Sequence, residues 1–134
     1  MRSRGSAVLI KNQSVALVKR VYSNHTYYVF PGGGVEKGET LEEATIREAL
    51  EELNVDIRIE RLLITIFYHG TQYFFLASIL EGDIAIGKGN EYRDKERKRG
   101  TYEPMWIPLN QLPSIDVRPK EVRHYIKQIW RSFI

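Results

Sequence analysis

The stretch from Pro31 to Val55 limits how this chain can fold more than any other part of it. Gly32, Gly33 and Gly34 remove side chains from three consecutive positions, so the backbone there tolerates close approach and angles closed to other residues. Read locally, Pro31 to Gly34 is a tight glycine turn. Thr40, with Glu43 three residues later, forms a capping box that starts a helix at or just after Thr40. Within that helix Ile46, Ala49, Leu50 and Leu53 recur at i, i+3, i+4 and i+7, which predicts one apolar stripe for a core. Glu48, Glu51 and Glu52 then share the opposite stripe.

Three like charges at these offsets cost an isolated helix about 0.2–0.5 kcal/mol per pair, which solvent easily absorbs. A glutamate face alone is thus an ordinary solvated face. The glycine turn beside it changes the chemistry on offer, because a bare backbone and clustered carboxylates suit a hard cation that in turn holds phosphate oxygens. Magnesium takes one or two carboxylates and completes its shell with water and phosphates, and manganese fits the same ligands. Zinc is disfavoured: the chain has no cysteine, and His25, His69 and His124 lack metal-ligand spacing.

Six positions fix a pattern: Gly33, Glu39, Arg47, Glu48, Glu51 and Glu52. At average residue usage such a combination arises about once in ten million registers. The pattern resembles the signature box of the Nudix hydrolases, which cleave nucleoside diphosphates linked to another moiety. Gly33 to Val55 spans the box, with Asn54 where the family usually has glycine, a position where the resemblance implies a left-handed residue ending the helix and asparagine is the commonest substitute. Outside it, Tyr28 to Gly33 resembles the strand that enters the box, and Tyr102 to Leu109 resembles the family's late strand, with Leu112 in the short turn that follows.

The resemblance implies metal-dependent attack of water on a phosphorus of a pyrophosphate linkage, with Mg2+ or Mn2+ as cofactor. Carried over, Glu48, Glu51 and Glu52 are metal ligands, and Glu52 or Glu51 also deprotonates the water. Arg47 and Glu39 pair and brace the loop against the helix. Gly32, Gly33 and Gly34 bring the backbone close to the substrate, Gly33 permitting the tight loop. In Nudix enzymes a later loop often adds a carboxylate as ligand or base; Glu91 is placed to do so, with Glu103 as rival.

The remaining sequence frames this site. A chain of 134 residues with 43% hydrophobic content makes one domain, residues 1–134. Ala7 to Ile10 and Val15 to Val18 read as a hairpin closed by Lys11 to Ser14, and Tyr27 to Phe30 as a strand delivering the glycines. Three β-rich runs follow the helix: Val55 to Glu60, Leu62 to Tyr68 and Gln72 to Leu80. Trp106 and Ile107 mark a late strand, and Pro119 precedes an amphipathic C-terminal helix through Val122, Tyr125, Ile126, Ile129, Trp130 and Phe133. Strands, helix, strands, helix predict an α/β fold with a mixed sheet, and the resemblance implies an α/β/α sandwich. Behind the basic start, Ala7 to Ile10 is too short for a signal peptide or a membrane span. A cytoplasmic setting is expected, and the resemblance admits a homodimer.

Charge is segregated. Glu36 to Glu52 holds seven glutamates against Lys37 and Arg47, whereas Arg93 to Arg99 holds five basic residues against Asp94 and Glu96. The acidic segment needs cations before a phosphate approaches, since unit charges 4 Å apart interact by about 4 kcal/mol at a surface-like dielectric. Gly82 to Gly100 reads as a solvated loop or as a lid, from which Lys88, Arg93 and Arg97 reach substrate phosphates. The loop Tyr22 to Thr26 is a second candidate for substrate contact. Tyr28, Phe30, Tyr68, Tyr73, Phe75 and Tyr92 are candidate stacking partners for a base, although strand aromatics mostly pack. Two further functional classes stay open: a nucleotide-sensing regulator that does not cleave, marked by eroded box glutamates that are intact here, and an RNA-end processing protein using Arg93 to Arg99.

Overall fold

A computed structural model describes residues 2–67, 69–84 and 100–129. Strands β1 (Arg4–Lys11) and β2 (Ser14–Tyr22) form the expected hairpin, paired through Ile10 with Val15 and Lys11 with Ser14. Asn12 and Gln13 close it with φ of 52° and 62°, the left-handed pair that suits a two-residue hairpin turn.

Beyond those pairs the two arms diverge, and the chain from His25 to Gly34 fills the opening. Strand β3 (His25–Val29) runs antiparallel to β2, while β4 (Gly32–Gly34) runs antiparallel to β1 through Ser6, Gly5 and Arg4. Phe30 and Pro31 cross from one arm to the other, and the Pro31 carbonyl accepts the Ala7 N–H at 2.8 Å. The glycines expected as a turn are therefore a strand. The reason is long-range: β1 offers free backbone groups where it leaves β2, and pairing satisfies them.

Helix α1 (Leu41–Leu53) begins as expected, with Thr40 Oγ1 accepting from Glu43 N–H at 3.0 Å and the Glu43 carboxylate accepting from Thr40 N–H at 2.8 Å. Asn54 caps its end at φ 60°, ψ 36°. The buried face, however, is Ala44, Thr45, Ala49 and Leu53, and Leu50 is exposed. Small residues take the inner face because α1 lies against Gly5, where a Cβ would collide with Thr45 Oγ1 and come within 2.9 Å of the Leu41 carbonyl. Glu48 and Glu52 fall between Ala44 and Ala49 around the helix, so they turn towards the sheet while Glu51 turns away. The expected common stripe of three glutamates is divided.

Strand β5 (Asp56–Phe67) unites the two runs expected between Val55 and Tyr68, bending through register shifts between Ile59 and Arg61 and between Leu62 and Ile64. Strand β6 (Thr71–Glu81) pairs antiparallel with β5 and parallel with β1. Strand β7 (Glu103–Pro108) joins β2, a 3-10 turn covers Leu109–Ser114, β8 (Val117–Arg118) joins β3 in parallel, and α2 (Lys120–Ile129) starts immediately after Pro119.

The central strands are buried on both faces, which is why they read as continuous apolar runs. Val8, Val15 and Leu17 join Phe30, Phe74 and the α2 residues Val122 and Ile126 in one core. Ala7, Leu9, Ala16 and Val18 join Ala49 and Leu53 of α1 in the other. Each buried Leu, Val or Phe contributes about 1.5–3 kcal/mol, and their placement on both faces yields the helix-sheet-helix layering expected. Among the described residues, no helix is long and apolar enough to cross a membrane.

Candidate active site

A cleft of about 480 Å3 opens where β4 faces α1. Its floor is Gly32, Gly33 and Gly34, and Glu48 and Glu52 project into it from the helix. Glu52 Oε1 accepts the Gly32 N–H at 2.7 Å, fixing one carboxylate to the glycine strand. A Cβ on Gly33 would stand 2.5 Å from Glu48 Cδ, so glycine is what lets this carboxylate lie on the strand.

Arg47 locks the segment between strand and helix. Its Nε donates to Glu39 Oε2 at 2.7 Å, and its Nη2 donates to Glu39 Oε1 at 3.0 Å and to the Gly34 carbonyl at 3.1 Å. Glu39 Oε1 also accepts the Glu36 N–H at 2.9 Å. These bonds, the Arg47 contact foremost and then the Glu36 N–H, hold the Glu39 carboxyl at about 2, well below the ordinary carboxylate range. Arg47 is pushed above its ordinary value by the same pairing, with Glu48 and Glu36 adding charge. Glu51 lies 3.4 Å from Arg47 Nη1 and is half exposed, outside the cleft lining.

The donors that reach the cleft are oxygens. Two half-buried carboxylates beside a bare backbone strand suit a hard cation that brings its own water and phosphates. Among the described residues, no three acidic or histidine side chains converge as a ready metal cage. His25, His69 and His124 are all on the surface.

Several expected contacts lie elsewhere. Glu103 is exposed on β7, opposite Lys19 of β2, and is not among the cleft's described lining residues. Tyr22 to Thr26 is an exposed two-residue turn between β2 and β3 with its ends, since Ser23 and Asn24 close that hairpin at φ 51° and 64°. Phe30 lines the cleft, whereas Tyr28, Tyr73 and Phe75 are not among its described lining residues. Glu91, Lys88, Arg93, Arg97, Tyr68 and Tyr92 lie outside the described residues.

The cleft also has a wall that local sequence reading missed. Arg4, Arg20, Gln72, Phe74, Tyr102 and Arg118 line it. The Arg20 guanidinium stands 4.1 Å from the Tyr102 ring centroid and 5.8 Å from that of Tyr27, and Arg118 stands 4.2 Å from the Tyr27 centroid. The one local signal was Lys19 and Arg20 following the apolar run of β2.

The profile of the NUDIX domain matches residues 1–129. An 8-oxo-dGTP diphosphatase from Proteus vulgaris is 32% identical over 60% of this chain and 78% of its own length. An RNA pyrophosphohydrolase from Blochmanniella pennsylvanica is 26% identical over 91% of this chain and 90% of its own. A solved NUDIX hydrolase from Nitrosomonas europaea superposes with a TM-score of 0.76, at 18% identity, covering 98% of this chain and 89% of that one.

Proposed function

The chain belongs to the NUDIX domain family, and from that premise we propose that it is a divalent-metal-dependent pyrophosphohydrolase acting on a nucleoside diphosphate linked to a further moiety. One observation carries the reading: Glu48 and Glu52 are held against the glycine strand at the floor of the cleft. Those two carboxylates would hold the cation, whose chemistry when bound is to neutralise phosphoryl charge and to lower the pKa of water at the site.

The chain's own residues supply position. Gly33 leaves the space in which the Glu48 carboxylate lies against the strand. Arg47, fixed by Glu39 and the Gly34 carbonyl, keeps strand and helix in register. Glu52, which accepts the Gly32 N–H, would hold the cation or take the proton of the attacking water. Glu51, engaged with Arg47, ranks behind it as base. Water attacks phosphorus, the bridging P–O bond breaks, and the proton passes to a carboxylate; positioning and electrostatics dominate such chemistry.

The test is a panel of 8-oxo-dGTP, ADP-ribose, a nucleotide sugar, a dinucleoside polyphosphate and 5′-triphosphorylated RNA, incubated with Mg2+ or Mn2+ and resolved by chromatography. Turnover of at least one member is expected, abolished in Glu52→Gln with circular dichroism unchanged. A Glu52→Gln protein hydrolysing at the wild-type rate would overturn the assignment.

A further inference from the structure

Strand β4 is clasped on both faces. The Cβ that Gly33 lacks would meet the Glu48 carboxylate, and the Cβ that Gly34 lacks would stand 2.6 Å from both Cζ and Nη2 of Arg2. Successive residues of a strand look to opposite faces, so the glycine strand lies between a carboxylate of α1 and a guanidinium brought in from ahead of β1. Resting on the hydrolase reading above, we infer that Arg2 is a positioning residue for the reaction: with the Ser3 carbonyl it straps the segment leaving β4 to the start of β1, and so keeps the glycines against Glu48 and Glu52.

The strap consists of two bonds. Arg2 Nη2 donates to the Val35 carbonyl at 3.2 Å, and the Val35 N–H donates to the Ser3 carbonyl at 3.0 Å. Strand β4 depends on them because it is only three residues long and pairs with β1 through Arg4, Gly5 and Ser6 alone. The Ser3 bond carries that pairing one residue past Gly34, and Arg2 holds the carbonyl of the same residue. Arg47 grips the neighbouring Gly34 carbonyl from α1, at 3.1 Å, so two guanidiniums hold successive carbonyls of one segment. Of the influences on the Glu39 carboxyl, the Arg2 charge is the smallest, which leaves Arg2 a geometric part rather than an electrostatic one.

The same contact explains why position 34 is glycine. Gly34 is not among the glycines with positive φ, so its backbone would accept a side chain. The atoms in the way are Cζ, Nη2 and Nε of Arg2, the far end of a flexible side chain that can swing aside. A methyl group at position 34 therefore displaces Arg2 and opens the strap without changing Arg2 itself. Neither route enters the cleft directly, because Arg2 is exposed and is not among the cleft's described lining residues.

The experiment measures kcat and KM separately, on the best substrate of the panel with Mg2+, for wild type, Arg2→Ala, Arg2→Lys, Gly34→Ala and the double variant Arg2→Ala with Gly34→Ala. Arg2→Ala is expected to lower kcat by about threefold to tenfold, short of the roughly 10²-fold cost of a 1 Å misplacement because the Ser3 bond remains. KM is expected to stay within about twofold, as for a group that does not bind substrate. Arg2→Lys, which keeps a donor for the Val35 carbonyl, is expected to recover part of the rate. Gly34→Ala is expected to match Arg2→Ala, and the double variant to lose no more than either, because both changes open one strap. An unchanged kcat in Arg2→Ala, a loss carried by KM alone, or losses that add in the double variant overturns the inference. Amide NMR gives a readout that does not depend on turnover: in Arg2→Ala the Val35 N–H is expected to exchange about tenfold faster, and the Gly32 N–H, which donates to Glu52, to shift its resonance. If no compound is hydrolysed, the hydrolase reading fails, whereas unmoved Val35 exchange and Gly32 resonance in Arg2→Ala reject the strap by themselves.

Discussion

Gly33 and Glu48 occupy one space: a Cβ on the glycine would stand 2.5 Å from Cδ of the glutamate and closer still to its Oε2. Gly33→Ala must therefore push the Glu48 carboxylate off the strand, or push β4 away from α1. Displacing a catalytic group by about 1 Å can cost on the order of 10²-fold in rate. A fall of that order in kcat/KM is expected, with thermal unfolding changed little because the atoms met are the far end of a flexible side chain. Full activity in Gly33→Ala, measured on the best substrate of the panel, would show that Glu48 need not lie where it does.

Arg47 joins three parts of the site through Glu39, the Gly34 carbonyl and Glu51. Lysine preserves the charge but cannot make two parallel bonds to Glu39 and a third to Gly34. Arg47→Lys is expected to lower kcat/KM by about tenfold to a hundredfold through lost register of strand and helix. Steady-state kinetics on refolded, spectroscopically native protein decide the matter; an unchanged rate would reduce Arg47 to surface charge.

What was legible in the sequence was local. Thr40 and Glu43 are three residues apart and announce the start of α1; Asn54 announces its end. The strand at Gly32 to Gly34 was not legible as such, because its partner Arg4 to Ser6 lies far away in sequence and the glycines alone read as a turn. Leu50 misled the helix reading, since large apolar residues mark a stripe by size while the true inner face is selected for smallness against Gly5. The guanidinium wall escaped for a related reason. Arg20, Tyr27 and Arg118 meet because β3 pairs with β2 on one edge and with β8 on the other, and Tyr102 joins them because β7, which follows it, pairs with β2.

Asn54 holds φ 60° where glycine would carry no Cβ penalty, and its N–H still closes α1 on the Leu50 carbonyl at 3.0 Å. Asparagine tolerates this region better than other side chains, and a residue without that tolerance pays about 1–2 kcal/mol. Asn54→Gly is expected to be neutral or slightly stabilising, and Asn54→Ala to destabilise by about 1 kcal/mol. Urea unfolding of the three proteins checks both signs. Because Asn54 is not among the cleft's described lining residues, kcat/KM should be unchanged in each.

Glu39 gives a pH signature of the brace. Its folded-state pKa is about 2 against an ordinary 4.5, so between those values the folded chain holds fewer protons at this site than the unfolded one, and its contribution to stability rises with pH. The contribution is complete above pH 4.5, declines as pH falls below it, and is gone once pH passes through about 2. Comparing the pH dependence of unfolding in wild type and Glu39→Gln isolates this site from the other carboxylates. The difference between the two curves should shrink across that window and nowhere above it. Removing the main cause should remove most of the effect: in Arg47→Ala, the Glu39 carboxyl resonance, followed by NMR, should titrate above its wild-type position of about 2, with the Glu36 N–H still holding it below the ordinary value. A midpoint that stayed low without Arg47 would place the cause in the Glu36 N–H instead, and the brace would be a property of the loop alone.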